Sequence, residues 1–334
     1  MNKKQTRRNF LKSSLVVAAM ATTGCSTSKE TSKKSLAKTY ASMTPEQAKA
    51  FRKAWWKKNP IMLNNYQVKA CGKWRIHMLG TSAGSEPTPK NNHTSWVLEK
   101  PNGELLWFDA GVYCSWTAHN MGLDVLQAKN MFLSHPHADH FIGLADFFTT
   151  VNKIRWFYRG KVPYSLNIHT SAPEMVKAGM SFSTAGMGTQ KYVNIKPLKV
   201  GEIFNDGDVS IEAITNRHMK ARKDGSLPAY SFRIKMASIK KSIIFSGDIK
   251  SLDDLAPFLT TGVTDLIMLE TGHHDAESLC RRLKEGYPNA VKDVLFMHHG
   301  RHMRNNREFE ETRAEVAWGK PVIISYDKQT IDFA

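Results

Sequence analysis

From Trp74 onward the chain alternates short apolar runs with turn formers, first in a strand rhythm and later in a strand–helix rhythm. "WRIHMLG", "SWVLEK" and "ELLWFDAG" are rich in β-favouring residues and separated by Gly, Pro and Asn, which predicts strands. "NMFLSH" predicts another, ending where a run of histidines begins. In "FIGLADFFTTVNKIRWF" the apolar residues recur at helical spacing. "SLNIHTS", "EIFNDGDVSIEAITNRH", "YSFRIKMA" and "KSIIFSGD" read as strands, the second turning at Asn205 to Asp208. "DLIMLETG" (strand), "AESLCRRLKEG" (helix), "DVLFMHHG" (strand), "REFEETRAEVAWG" (helix) and "PVIISYDKQTIDF" (one strand) complete the chain. Such an order predicts an α/β fold whose sheets carry helices on their outer faces. No internal repeat and no second linker interrupts it, so residues 44–334 are expected to form one domain.

The front end follows a different pattern. "TRRNFLK" precedes an apolar run from Leu15 to Ala21 and then "TTGC", ending at Cys25. A basic start, a short apolar stretch and small residues describe an export signal over residues 1–25, and the run is too short to span a bilayer. Arg7-Arg8 with Phe10 and Leu11 resembles a twin-arginine (Tat) signal, which implies export of an already folded protein to the periplasmic or cell-surface side. "TTGC" resembles a lipoprotein cleavage box, with Thr22 where Leu is usual, and implies anchoring to membrane lipid through Cys25. An ordinary cleaved signal is the alternative. "STSKETSKKSLAKTYA" then reads as a polar tether over residues 26–43. In "TPEQAKAFRKAWWKKNP", Thr44 and Gln47 form a capping box around Pro45, which predicts a helix.

The formal charge of +17 is partly a property of this front end. With the nine basic residues and one acid of the first 43 set aside, +9 remains on residues 44–334. That surplus favours anionic partners such as phosphate or sulfate esters, with a solvated basic surface as the plain alternative. Cys71, Cys114 and Cys280 remain after Cys25, an odd count that allows at most one internal bridge, and their spacing suggests no thiolate metal site.

The candidate chemistry lies at the strand ends. In "HPHADH", His135 and His137 are two apart on an extended segment, so both side chains reach the same side. Asp139 and His140 follow as the chain turns into a helix and project from another angle. Neutral imidazoles and carboxylates suit zinc. "WFDAG" with Asp109 comes earlier; "NRH" with His218, "SGD" with Asp248 and "FMHHG" with His298 come later, each at a predicted strand end.

This ordered series resembles the metallo-β-lactamase superfamily over residues 74–334. The resemblance implies a four-layer αββα sandwich with two zinc ions at the sheet edge, manganese or iron being substitutes. It implies that His135, His137 and His218 hold the first ion, that Asp139, His140 and His298 hold the second, and that Asp248 bridges. His299 competes with His298. Asp109 would orient the site from outside. Asp248 further narrows the resemblance, because true β-lactamases of this fold lack that bridging aspartate, and "HMLGTSAGSEPTPKNN" resembles the opening of the ribonuclease Z and arylsulfatase-like branch. "LETGHHDAESL" resembles that branch's Glu and "GHS", which implies that Glu270 pairs with His273 and that the His protonates a leaving oxygen, His274 being the substitute. His77, His93, His119, His169 and His302 read as packing or surface residues, His93 being the best placed of them for a substrate contact.

The expected protein is thus an exported dinuclear metallo-hydrolase acting on a small anionic ester, a phosphodiester first and a sulfate ester next. A lactonase or acyl hydrolase, and a non-catalytic binding protein stapled by its metals, are the alternatives. Nucleic acid is disfavoured because export separates the chain from transfer RNA and no basic strip interleaved with aromatics accompanies the charge. A homodimer is compatible with this reading.

Overall fold

The computed structural model describes residues 38–58, 70–86, 88, 90–157, 163–186 and 190–333. Arg7, Arg8 and Cys25 lie outside the described residues, as does most of the tether, whose described end forms a helical turn over 38–41. The chain divides into two compact units, Met1–Ile61 and Met62–Ala334, so the capped helix α1 (Pro45–Lys58) falls in the first unit, where the sequence had it in the domain. Its capping box is formed: Gln47 N donates to Thr44 Oγ1 at 3.2 Å and Thr44 N donates to Gln47 Oε1 at 2.9 Å. Among the described residues no helix is long and apolar enough to cross a membrane.

The second unit is built from two seven-stranded sheets. The first contains β1 (Arg75–Gly80), β2 (Ser95–Glu99), β3 (Leu105–Phe108), β4 (Ala128–Phe132), β5 (Leu166–Thr170), β6 (Val193–Pro197) and β14 (Thr330–Asp332), in the order β14-β1-β2-β3-β4-β5-β6. The second contains β7 (Gly201–Asn205), β8 (Val209–Asn216), β9 (Ala229–Met236), β10 (Lys241–Phe245), β11 (Thr264–Thr271), β12 (Val291–His299) and β13 (Ile323–Ile324), in the order β13-β12-β11-β10-β9-β8-β7.

Alternation along each strand assigns its side chains to two cores. In β3, Leu105 and Trp107 join a core under outer helices, while Leu106 and Phe108 join the core between the sheets. In β12, Leu295 and Met297 face the other sheet, while Val294 and Phe296 face helices. Three cores separate four layers, helix–sheet–sheet–helix, as the sequence implied. The central core is aromatic: Trp96 stacks on Phe108 at 4.2 Å, and Phe132, Phe232 and Phe245 surround the pair. Each such ring contributes about 1.5–3 kcal/mol by leaving water.

Two expected elements differ. The helix expected from Phe141 to Phe157 is split into α3 (Ala138–Phe141) and α4 (Leu144–Phe157). The break is at Gly143, where a Cβ would lie 2.0 Å from the carbonyl oxygen of Gly111, so only glycine permits this approach. The single strand expected over "PVIISYDKQTIDF" is two short strands in different sheets: β13 pairs with β12, and β14 crosses to pair with β1. Helices α2 (Cys114–Asn120) and α5 (Pro173–Ser183), and strand β6, were not foreseen from the pattern.

Candidate metal centre

Strands β3 to β6 run parallel, and so do β10 to β13. Their carboxyl ends therefore meet at one edge, where ligand sites form in open α/β sheets. Asp109 follows β3, His135 follows β4, His218 follows β8, Asp248 follows β10, Glu270 lies near the end of β11 and His298 near the end of β12. Residues far apart in the chain are thus brought together.

The donors gather into groups whose ligand atoms all lie within 4.8 Å of one another: His135, His137, His218 and Asp248; then Asp139, His140 and His298; then Asp248, His273 and His298. The nitrogens His135 Nε2 and His218 Nε2 stand 3.0 and 3.1 Å from His137 Nδ1. Asp248 lies between the first two groups, its Oδ2 3.6 Å from His135 and His218 and 3.3 Å from His298, its Oδ1 3.3 Å from His140.

Three of the inward nitrogens are fixed by what their rings do on the far side. His140 Nδ1 is 2.8 Å from Asp109 Oδ2, His135 Nδ1 is 3.0 Å from Ser134 Oγ, and His298 Nδ1 is 2.5 Å from Thr94 Oγ1. Asp109 is itself held by Ser134, whose backbone N–H and hydroxyl donate to it at 2.7 and 2.9 Å. Asp139 Oδ2 accepts from Gly84 N at 2.7 Å. His140 Nε2, His298 Nε2 and Asp248 Oδ1 are buried without a hydrogen-bond partner among the described residues. Unpartnered buried lone pairs are costly, and here they converge. Imidazole and carboxylate donors in this arrangement fit divalent metal ions.

Burial pushes the His135 imidazole well below its usual range and lowers His137 and His218 too, which favours the neutral forms that bind a metal. His140 differs: burial opposes its charge, but Asp248 and Asp109 raise it well above its usual range. Burial alone opposes charge on Asp248, but the surrounding His298, His140 and His135 hold its carboxyl well below the usual carboxylate range.

The choice between His298 and His299 is made by one bulge. Glu270 pairs with Met297 and Thr271 with His299, so His298 is the extra residue of β12 and adopts φ 49°. It turns into the site, and a Cβ on Gly272 would lie 2.6 Å from its ring. His299 points the other way, its Nδ1 2.9 Å from Thr271 Oγ1 and its Nε2 2.9 Å from the Ser325 carbonyl. Complete burial lowers it to about 3. Asp109 also adopts a left-handed φ, 55°. Such non-glycine strain costs on the order of 1–3 kcal/mol and clusters at functional sites.

His273 lies beside Glu270, Nδ1 to Oε1 at 3.1 Å and to Oε2 at 3.2 Å, and its backbone N–H donates to Glu270 Oε2 at 2.8 Å. The hydrogen bond to Glu270 is the main reason its pKa is raised to about 9. His274 instead places Nε2 3.0 Å from the Ile249 carbonyl. His93 is half-buried near the cluster, and its buried Nδ1 has no partner among the described residues. His77 pairs with Glu99 at 2.8 Å in the interior, and His169 stacks on Phe132 at 4.6 Å. His302 is exposed on α6 (Arg301–Asn305), and His119 lies in α2 and belongs to none of the donor groups. Sequence reasoning gave no role to Ser134, Thr94 or Gly84, although Ser134 adjoins "HPHADH" and Gly84 lies in the stretch "HMLGTSAGSEPTPKNN". A cavity of about 510 Å³ opens over Asp139, Asp248 and His273, walled by Gly84, Glu86, Arg301 and Arg304.

Residues 74–317 match the family model described as anti-Pycsar protein Apyc1, and residues 4–24 match that of the twin-arginine translocation pathway signal sequence. Ribonuclease Z of Methanosarcina mazei is 30% identical over 145 residues, 43% of this chain and 45% of that protein. Ribonuclease Z of Pyrococcus abyssi is 33% identical over 99 residues, 30% of this chain and 29% of that protein. The chain thus spans less than half the length of these curated relatives. Among solved structures, the metallo-β-lactamase-fold protein YhfI from Bacillus subtilis superposes with a TM-score of 0.60 at 14% identity, covering 78% of this chain and 99% of that one. The short form of human tRNase Z (ELAC1) gives 0.57 at 16%, with 78% and 99% covered. The fold is therefore that of the metallo-β-lactamase superfamily.

Proposed function

The chain belongs to the family described as anti-Pycsar protein Apyc1, and from that membership together with its paired donor groups we propose that it is a dinuclear, metal-dependent phosphodiester hydrolase. The observation that carries the reading is Asp248, a buried carboxylate set between His135, His137 and His218 on one side and Asp139, His140 and His298 on the other, each group able to hold one ion. Two ions bound there, zinc first and manganese or iron as substitutes, would supply a water activated at neutral pH and positive charge opposite the charge that develops on the ester. His135, His137 and His218 would hold one ion, Asp139, His140 and His298 the other, and Asp248 both.

The remaining work falls to the protein's own groups. Asp139 is fixed by Gly84 N and orients the attacking water. His273 keeps a proton because Glu270 holds its Nδ1, and its Nε2–H serves as the donor to the leaving oxygen. Asp109 fixes the tautomer of His140 through Nδ1. The basic surplus and the ribonuclease Z relatives favour a phosphodiester over a sulfate ester. Those relatives also keep nucleic-acid fragments among the substrates, which the export argument alone had set aside. The Tat match supports export of this activity, and lipid attachment at Cys25 is part of the proposal.

The test is a screen of purified, zinc-loaded protein on bis(4-nitrophenyl) phosphate, 4-nitrophenyl sulfate, a lactone and a cephalosporin, with metal content measured. Phosphodiester cleavage with two ions per chain is expected, and Asp139→Ala should reduce it by at least about 10²-fold with the fold retained. Turnover confined to the lactone would replace this reading with the acyl hydrolase.

A further inference from the structure

The cavity over the donor groups is larger than those groups require. Its volume of about 510 Å³ lies within the roughly 300–1,000 Å³ of sites that enclose a whole small molecule. Its lining includes Glu86, Arg301 and Arg304, none of which belongs to the donor groups. Both guanidinium groups use the same oxygen: Arg304 Nη2 donates to Glu86 Oε2 at 2.6 Å and Arg301 Nε donates to it at 3.1 Å.

The two arginines are not equivalent. Arg304 has a side chain only 9% exposed and also donates to Ser82 Oγ at 2.7 Å, so it ties helix α6 to the loop that carries Gly84. Arg301 is 76% exposed, and its two Nη atoms have no partner among the described residues. One carboxylate against two guanidinium groups leaves a positive surplus on this wall. An exposed pair such as Arg301–Glu86 contributes little to stability, so it exchanges readily for a better anion. A guanidinium offers a planar fork that matches carboxylate and phosphate oxygens two at a time, and Glu86 engages only one nitrogen of that fork on Arg301.

We infer that Arg301 forms an anion subsite in the cavity that Asp139, Asp248 and His273 also line, which takes a second phosphate of the substrate and which Glu86 occupies as an internal competitor. The inference rests on the phosphodiesterase reading above and narrows its substrate to a phosphodiester carrying a further phosphate group, the pattern of a short 5′-phosphorylated nucleic-acid fragment. Glu86 shows that a carboxylate-sized anion fits there, and its transfer wholly to Arg304 would release the Arg301 fork.

The experiment compares a thymidine dinucleotide with and without a 5′-phosphate on zinc-loaded protein. The wild type should favour the phosphorylated form by at least about tenfold in kcat/KM, mostly through KM. Arg301→Ala should abolish the preference, and Glu86→Gln should enlarge it. Equal cleavage of the two dinucleotides by the wild type, or a preference that survives Arg301→Ala, overturns the subsite. Calorimetric titration with inorganic phosphate tests the subsite without turnover. A binding event present in the wild type, lost in Arg301→Ala and tighter in Glu86→Gln is expected, and identical isotherms in wild type and Arg301→Ala overturn it. If that event is lost as expected but neither dinucleotide nor bis(4-nitrophenyl) phosphate is cleaved, the subsite stands and the phosphodiesterase reading fails.

Discussion

Asp109 offers the sharpest test of how the donors are held. Its Oδ2 is 2.8 Å from His140 Nδ1 and also accepts from Ser134 Oγ, while its Oδ1 accepts from Ser134 N at 2.7 Å. The acceptor at Nδ1 keeps the proton there and leaves the Nε2 lone pair for an ion. Asp109→Asn keeps the shape, and asparagine tolerates the φ of 55° as aspartate does. It cannot keep the pairing. With the amide nitrogen toward His140, two donors meet, and the imidazole is driven to carry its proton on Nε2. With the amide flipped, the nitrogen meets the Ser134 N–H instead. Either way one buried hydrogen bond is unmade, at about 1–3 kcal/mol. Loss of such a supporting group typically weakens metal binding 10- to 100-fold, which converts to about 1.4–2.7 kcal/mol. We therefore predict that chelator competition on purified protein will show one of two zinc ions per chain bound 10- to 100-fold more weakly in Asp109→Asn, with circular dichroism and the other ion little changed. Wild-type affinity for both ions in a folded Asp109→Asn protein would refute the reasoning.

Other outcomes follow from the same structure. His273→Ala should slow alkyl phosphodiesters about 10²- to 10⁴-fold and nitrophenyl esters far less, because nitrophenolate leaves without a proton, while His274→Ala should be mild; equal losses on both esters would remove His273 as the acid. Burial lowers His169 to about 4 from its ordinary 6.5, so its contribution to stability is complete above 6.5 and is lost as pH falls through that window, by on the order of 2–3 kcal/mol. His169→Phe, which retains the stack on Phe132, should therefore flatten the acid limb of urea-unfolding stability, the other histidines being common to both proteins; an unchanged limb contradicts this. Arg7→Lys with Arg8→Lys should hold the protein in the cytoplasm, and Cys25→Ser should release it from membrane fractions; a Cys25→Ser protein that still pellets points to attachment by something other than lipid.

The sequence by itself placed most of the fold, and the residues it named as candidate donors are the ones the structure gathers into groups. Period-two alternation is a local property, so β1 to β5 and β7 to β12 could be read from their own residues. The histidines and aspartates were legible because their types are rare in cores and stand at the ends of those runs. Tertiary structure decided what depends on distant partners. Residues 321–333 read as one strand because their composition is uniform, yet β13 and β14 pair with different sheets because the partners available to them, β12 and β1, lie in different layers. His298 and His299 are interchangeable in sequence; only the register shift against β11 turns one inward and buries the other against Ser325. His273 and His274 are separated by the position of Glu270 and of the Ile249 carbonyl, and neither position is written in adjacent letters. Arg301, Arg304 and Glu86 stood among many charged residues and came together only when α6 packed beside the loop carrying Glu86, some 215 residues away in the chain. Local rhythm carries one residue's neighbours, whereas a site depends on distances that only the packed sheets set.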